Sequence, residues 1–298
     1  DLRCFICDIY KVPIKKVVFS PFITFNLWPG GDRDGNPYVS AAITKYSICL
    51  QRRMLCRQYL SSIKDCLKEL SCSSERVKIT KALNRSIESD KKRFPTFNKG
   101  TIKLNQYEPY RKKCDFMRLK LENTLQKLDQ YADNIGLGAT MVGRSDIDPH
   151  VKIGPSYINF DEFLKECYLI KDSLEQNKGE CIAPGALQTL IDKVEIFEKC
   201  YLDIRQHSSV HKDALIECLS YLDEDVSSDF LISAHLVREL TSSRLLGVKS
   251  FIDKLSPGVQ DVLRTIHVAL EPEKSMSKQT VRSYIISMTS RKDDLLTV

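Results

Sequence analysis

The residues with most chemical potential lie in one short run, Trp28-Pro29-Gly30-Gly31-Asp32-Arg33-Asp34-Gly35-Asn36-Pro37. Two glycines followed by Asp-Gly and Asn-Pro force a tight, exposed turn, which presents Asp32, Arg33, Asp34 and Asn36 together. Three uses are open to such a run. Asp32-x-Asp34-Gly resembles the opening of a cation loop, but Thr44 and Lys45 lie where the closing glutamate belongs, and Arg33 repels the ion. The charges can be a solvated turn, with Arg33 paired to an aspartate and shaping the loop. Alternatively, Arg33 contacts an anionic substrate.

A second constellation is Leu202-Asp203-Ile204-Arg205-Gln206-His207-Ser208 with His211. Arg205 ends a short alternating run just before a helical one. Its guanidinium is either paired with Asp203 or a helix acid, or free to bind an anion. His207 and His211, four residues apart, could face one metal ion. Two histidines without a third ligand usually form a polar helix start, so no metal is assigned to them. None is assigned to Cys4-x-x-Cys7 either, which lacks a second pair at zinc-site spacing.

The elements that must position these residues are mostly helical. Apolar residues recur at three and four from Ser40 to Leu70, and similar patterns predict helices over 74–91, 105–131, 160–176, 185–198, 208–222, 228–241 and 257–270. Strands are expected near 18–28, 200–206 and 284–289. Few strands separated by long helical stretches suit a parallel sheet with helical crossovers. Residues 133–157, rich in Gly and Pro, read as an irregular surface loop within one continuous unit over 1–298.

Composition sets bounds. The chain has 298 residues, 42% of them hydrophobic, 28% charged, and a net charge of +6 spread along its length. That spread argues against nucleic acid as the main partner and suits a small anion. No run approaches the ~20 apolar residues of a bilayer span. Eleven cysteines, most on apolar faces, read as reduced thiols. The chain starts at Asp1 without Met and stops at Val298 inside a helix-like run, so it is expected to be the central part of a longer protein.

Gly30-Gly31-Asp32-Arg33-Asp34-Gly35-Asn36-Pro37 resembles a motif of the phosphoenolpyruvate carboxylases. The resemblance continues in order through Glu108-Pro109-Tyr110-Arg111, Asp172-Ser173-Leu174 with Gly179-Glu180, Leu202 to His211, and Tyr284-Ile285-Ile286-Ser287-Met288. It covers the chain from about Trp28 to Val298. It departs from the family at Pro29, at Phe197-Glu198-Lys199-Cys200 and at His207, where the family more often has an acid.

This resemblance implies a mostly α chain with a few parallel strands, part of a TIM-barrel-like α/β barrel. It implies phosphoenolpyruvate and bicarbonate as substrates and oxaloacetate as product. Arg205 would hold the substrate phosphate, Arg33 would also bind substrate, and Asp32, Asp34 and Asn36 would line the site. A Mg²⁺ or Mn²⁺ cofactor, a homotetramer and a cytoplasmic location are implied as well. The family's Thr-Ala-His-Pro-Thr and Phe-His-Gly-Arg-Gly-Gly motifs do not occur here, so the catalytic histidine and metal acids are expected outside the chain. The alternative is a short degenerate relative that acts as a non-catalytic binding protein.

Overall fold

The computed structural model describes residues 2–13, 17, 23–95, 105, 107–135, 153–197, 200–222, 234–235, 237–238, 249–270 and 281–296. Its elements run α1 (Leu2–Tyr10), β1 (Phe25–Leu27), α2 (Ala41–Glu69), α3 (Lys81–Arg93), α4 (Pro109–Asn134), α5 (Phe160–Gln176) and α6 (Ala186–Phe197). There follow β2 (Cys200–His207), α7 (Ser208–Tyr221), α8 (Lys249–Ile252), α9 (Pro257–Leu270), β3 (Val281–Ser287) and α10 (Asp293–Leu296). The described chain is thus mostly helical with a small parallel sheet.

Side chains decide where the helices begin. Ser40 is extended and accepts from the Ile43 amide (3.4 Å), starting α2. Thr80 does the same for Leu83 (3.3 Å) and delays α3 past the expected residue 74, because the Arg76 and Val77 amides close a turn on the Ser73 carbonyl. Pro109 holds the first position of α4, which therefore starts later than the expected residue 105. Asn159 caps α5, accepting from Glu162 (3.1 Å).

Helices meet by capping one another. Arg111 donates to the Leu67 and Lys68 carbonyls at the end of α2 (2.7 and 3.3 Å), where a cation also suits the helix dipole. At that same end of α2, Glu69 accepts from the Ala186 amide that opens α6 (2.7 Å). The resulting bundle of α2 to α6 encloses Tyr59, Ile63, Phe116, Leu121, Phe160 and Phe163, each at most 1% exposed.

The sheet is parallel in the order β1-β2-β3, with Phe25 opposite Cys200 and Arg205 opposite Ile285. Helices α2 to α6 cross over between its first two strands and α7 to α9 between the last two. Leu202 and Ile204 lie on the pleat that packs against Ile48 of α2 and Val268 of α9. Asp203 and Arg205, offset by one residue, belong to the opposite pleat.

Several sequence expectations shift. β1 covers only 25–27, and residues 18–22 lie outside the described set, as does most of the helix expected at 228–241. β3 ends at Ser287 because Met288 adopts φ 56°, outside the strand region. Helix α4 runs on to Asn134, with Asp133 and Asn134 exposed, and Tyr157 is buried with its amide on Thr124 Oγ1 (3.0 Å); residues 136–152 of the expected 133–157 surface loop lie outside the described set. Helix α1, which carries Cys4 and Cys7, had no counterpart among the expected elements; Cys7 is a free thiol. Cys49, Cys56, Cys66, Cys167 and Cys218 are free and buried, as expected, and Cys114 is as well.

Between α3, α4 and α5 sits a buried group of four charges. Lys113 reaches Asp90 and Glu166 (both 2.6 Å), and Lys120 reaches the same two carboxylates (2.6 and 2.7 Å). Tyr157 adds a hydrogen bond to Glu166 (2.5 Å). Burial pushes the Glu166 carboxyl up, but the charges and hydrogen bonds of Lys113 and Lys120 outweigh it and hold it below the ordinary 4.5. Two cations and two anions cancel, which makes burial tolerable; removing one partner leaves an uncompensated charge.

Glu166→Gln is therefore expected to cost about 3 kcal/mol or more of stability in denaturant titration. A depressed carboxylate stabilises above its unfolded value and loses that contribution as pH falls through the folded one. Native stability should accordingly drop as pH is lowered below about 4.5, and the Gln variant should show a flatter profile there.

Candidate functional site

The carboxyl ends of parallel strands are where ligands bind in open α/β sheets, because helix N-termini and loops converge there. Here the chain leaves β1, turns at Trp28–Gly31 with Gly31 N donating to Trp28 O (3.0 Å), and then runs beside β2. Arg205 N donates to Gly31 O and Arg33 N to Arg205 O, both at 2.9 Å, so Asp32 bridges Arg205 in parallel register. The glycines are required. A Cβ on Gly31 would lie 1.9 Å from the Asp203 carbonyl oxygen, and Gly30 has φ +83° with the Ser47 hydroxyl 2.0 Å from its virtual Cβ. Thr44, in the first turn of α2, donates its hydroxyl to Gly30 O (2.7 Å) and fixes the turn from below.

Extended backbone sends successive side chains opposite ways, and the loop uses this. Arg33 goes inward: its guanidinium bonds Asp261 and Thr265 on α9, and its side chain is only 7% exposed. Asp261 also accepts from the Ala41 amide at the start of α2 (2.8 Å), so one carboxylate ties the loop, α2 and α9 together. Asp34 goes the other way and pairs with Arg205 at 2.7 Å, with side chains 18% and 37% exposed. Asp32 accepts from the Trp28 indole (3.1 Å) and from the Asp34 amide (3.3 Å). Asn36 accepts from the Tyr38 amide (3.1 Å), closing a local turn ahead of α2.

The structure thus brings four of the five sequence-predicted residues, Asp32, Arg33, Asp34 and Arg205, onto one strand-end platform, with Asn36 exposed at its edge. The partner of Arg205 is Asp34. Asp203 instead accepts from Asn26 on β1 (2.7 Å). Arg33 is engaged by Asp261 and Thr265 of α9. His207 and His211 part ways. His207 caps α7, its Nδ1 accepting from the Ser209 amide (3.3 Å). His211 is buried, with Nε2 3.2 Å from the Tyr284 hydroxyl. Among the described residues, no three His, Cys, Asp or Glu side chains converge to hold a cation.

Sequence reasoning missed Asp261, Thr265 and Tyr284, which act only across elements. Burial, and after it the nearby Arg33 guanidinium, push His211 down from 6.5 to about 4. Burial pushes the Tyr284 phenol up to about 12, partly offset by Arg33. Both groups are therefore neutral near pH 7, and the hydrogen bond joins a neutral imidazole to a neutral phenol.

Two other motifs serve the bundle instead. Arg111 caps α2, Tyr110 meets Ser173 (3.1 Å), and a Cβ on Gly179 would collide with Leu174 at 2.9 Å.

Comparison with known proteins gives one consistent result. The family profile described as phosphoenolpyruvate carboxylase matches residues 9–298. A phosphoenolpyruvate carboxylase of Roseiflexus castenholzii is 30% identical over 282 residues, 93% of this chain and 29% of that protein. The one from Synechococcus sp. strain WH7803 is 34% identical over 290 residues, 94% of this chain and 28% of that protein. The chain therefore spans under a third of the length of these relatives.

Gly31→Ala is expected to open the loop from β2, seen as a red shift of Trp28 emission with the bundle's helical signal retained; an unchanged spectrum would contradict the clasp. His211 should stay neutral by NMR down to about pH 4. A depressed imidazole stabilises fully above its unfolded value and loses that contribution as pH falls through the folded one. His211→Gln should therefore flatten the stability profile between pH 6.5 and 4.

Proposed function

This chain belongs to the phosphoenolpyruvate carboxylase family, and on that premise we propose that the protein it is part of joins phosphoenolpyruvate and bicarbonate to give oxaloacetate and phosphate. In this reading the three parallel strands form part of a TIM-barrel-like α/β barrel, and the clasped loop lines its mouth. The observation that carries it is the placement of Arg205. Its guanidinium stands at the carboxyl end of the central strand, partly exposed, on a backbone locked to the loop.

A planar guanidinium matches two phosphate oxygens at once. Arg205 would hold the phosphoryl group of phosphoenolpyruvate while bicarbonate attacks phosphorus. That step transfers the phosphoryl group to bicarbonate as carboxyphosphate and leaves the enolate of pyruvate. Loss of phosphate from carboxyphosphate frees carbon dioxide, which the enolate captures. Arg205 would neutralise the charge on the moving phosphoryl group.

Arg33 would also serve substrate binding, with Asp261 and Thr265 holding its guanidinium in place behind the loop. Asp32, Asp34 and Asn36 shape the mouth.

The described residues do not fit a divalent cation: Asp34 is already neutralised by Arg205, and no ligand cluster is present among them. The Mg²⁺ or Mn²⁺ of the family would be held by residues outside this chain, and no step assigned to this chain runs through it. A homotetramer in the cytoplasm belongs to the same proposal. Among the described residues, no helix is long and apolar enough to cross a membrane.

In the complete protein, Arg205→Lys keeps the charge but loses the fork, so kcat/KM should fall about tenfold to a hundredfold. The melting temperature should barely move, because the side chain stands over the open pleat. Unchanged kcat/KM would remove Arg205 from the site. The 298-residue chain alone should form no oxaloacetate in a coupled assay, since it carries neither the family's histidine motif nor its glycine-rich loop.

A further inference from the structure

Arg205 already has a counter-ion, since Asp34 Oδ2 lies 2.7 Å from its Nη2. The geometry points to Asp34 as a charge filter, an internal carboxylate that only a dianionic phosphoryl group displaces from Arg205. This inference rests on the reading of Arg205 as the phosphate site and adds to it a residue that sets anion specificity.

Two observations and one charge argument support it. First, the loop is bonded to its neighbours up to Arg33 and has open space around Gly35 just beyond Asp34. Gly31 and Arg33 are bonded to β2, and Arg33 is clamped by Asp261 and Thr265. The next glycine, Gly35, has φ +68° and nothing within 4 Å of its virtual Cβ. In the proposed exchange the Asp34 side chain turns away from Arg205 while the bonds of Gly31 and Arg33 stay in place. Second, the pair is reachable, with Arg205 37% and Asp34 18% exposed. Third, the charge arithmetic discriminates. A monoanion such as bicarbonate that replaces Asp34 exchanges one unit charge for another and gains nothing. A dianion doubles the attraction at the same distance and spans the guanidinium with two oxygens. Since bicarbonate is the co-substrate of the proposed reaction, the filter would keep it off the phosphate position.

Trp28 is the chain's only tryptophan, and its indole bonds Asp32 in this loop (3.1 Å), so its emission reports loop movement. The complete protein in its native form and its Asp34→Asn and Arg205→Met variants, each with any tryptophan outside this chain replaced by Phe, are titrated with phosphoenolpyruvate and, separately, with bicarbonate. Their melting temperatures are checked first, and Asp34→Ser replaces the Asn variant if that one is unstable. The Arg205→Met titrations correct for ionic strength. The complete native protein should respond saturably to phosphoenolpyruvate and not to bicarbonate.

Asp34→Asn should bind phosphoenolpyruvate about fivefold more tightly, the scale of a lost partly exposed ion pair, and should now respond to bicarbonate as well. Unchanged or weaker phosphoenolpyruvate binding in Asp34→Asn, or continued indifference to bicarbonate, would overturn the filter while leaving Arg205 in place. No saturable response in the complete native protein would overturn it too. A full native response in Arg205→Met would instead overturn the phosphate-site reading itself.

Discussion

The site depends on one close approach: the Gly31 backbone lies so near the Asp203 carbonyl that a β-carbon there would sit at 1.9 Å. Because no side chain intervenes, the loop after β1 reaches β2 and trades two backbone hydrogen bonds with Arg205. Those bonds impose an extended register, and that register sends Arg33 and Asp34 to opposite sides. The inward residue becomes an anchor in α9 and the outward one a partner for Arg205. A larger residue at position 31 would upset all of these placements together.

Helix α2 carries this local arrangement into the rest of the molecule. At about 43 Å for 29 residues it is long enough to serve two layers. Its first turn holds the loop through Thr44 and shares Asp261 with Arg33, and Ile48 covers the sheet. Its far end is capped by Arg111 and in turn caps α6 through Glu69. The bundle is the bearing on which the strand-end platform is mounted. Its interior combines an aromatic core with the neutral quartet of Lys113, Lys120, Asp90 and Glu166. A quartet of that kind specifies which helices meet, because each charge is costly in any other arrangement.

Arginines of the collinear motifs consequently do different work. Arg111 neutralises the end of a helix, Arg33 is consumed by an aspartate and a threonine, and Arg205 keeps an exposed edge. A motif match identifies positions but not which of them face a ligand. The distinction follows from the pleat and from what packs behind it.

The sequence by itself determined the helical character, the parallel strands around 200–206 and 284–289, the Gly-Gly turn and the place of Arg205 near a strand end. Each rests on local chemistry: apolar spacing, caps, glycine conformations and a string of motifs in order. Exact boundaries moved where local effects competed, as at Pro109, at Met288 and in the turn that delays α3. Tertiary structure alone decided that Arg33 turns inward, that Asp34 and not Asp203 neutralises Arg205, and that His211 is held neutral beside Tyr284. The partners that settle those roles, Asp261, Thr265 and Tyr284, lie more than seventy residues away from them along the chain. Pairing across such separations is set by how the crossover helices pack, and no spacing rule within a single element encodes it.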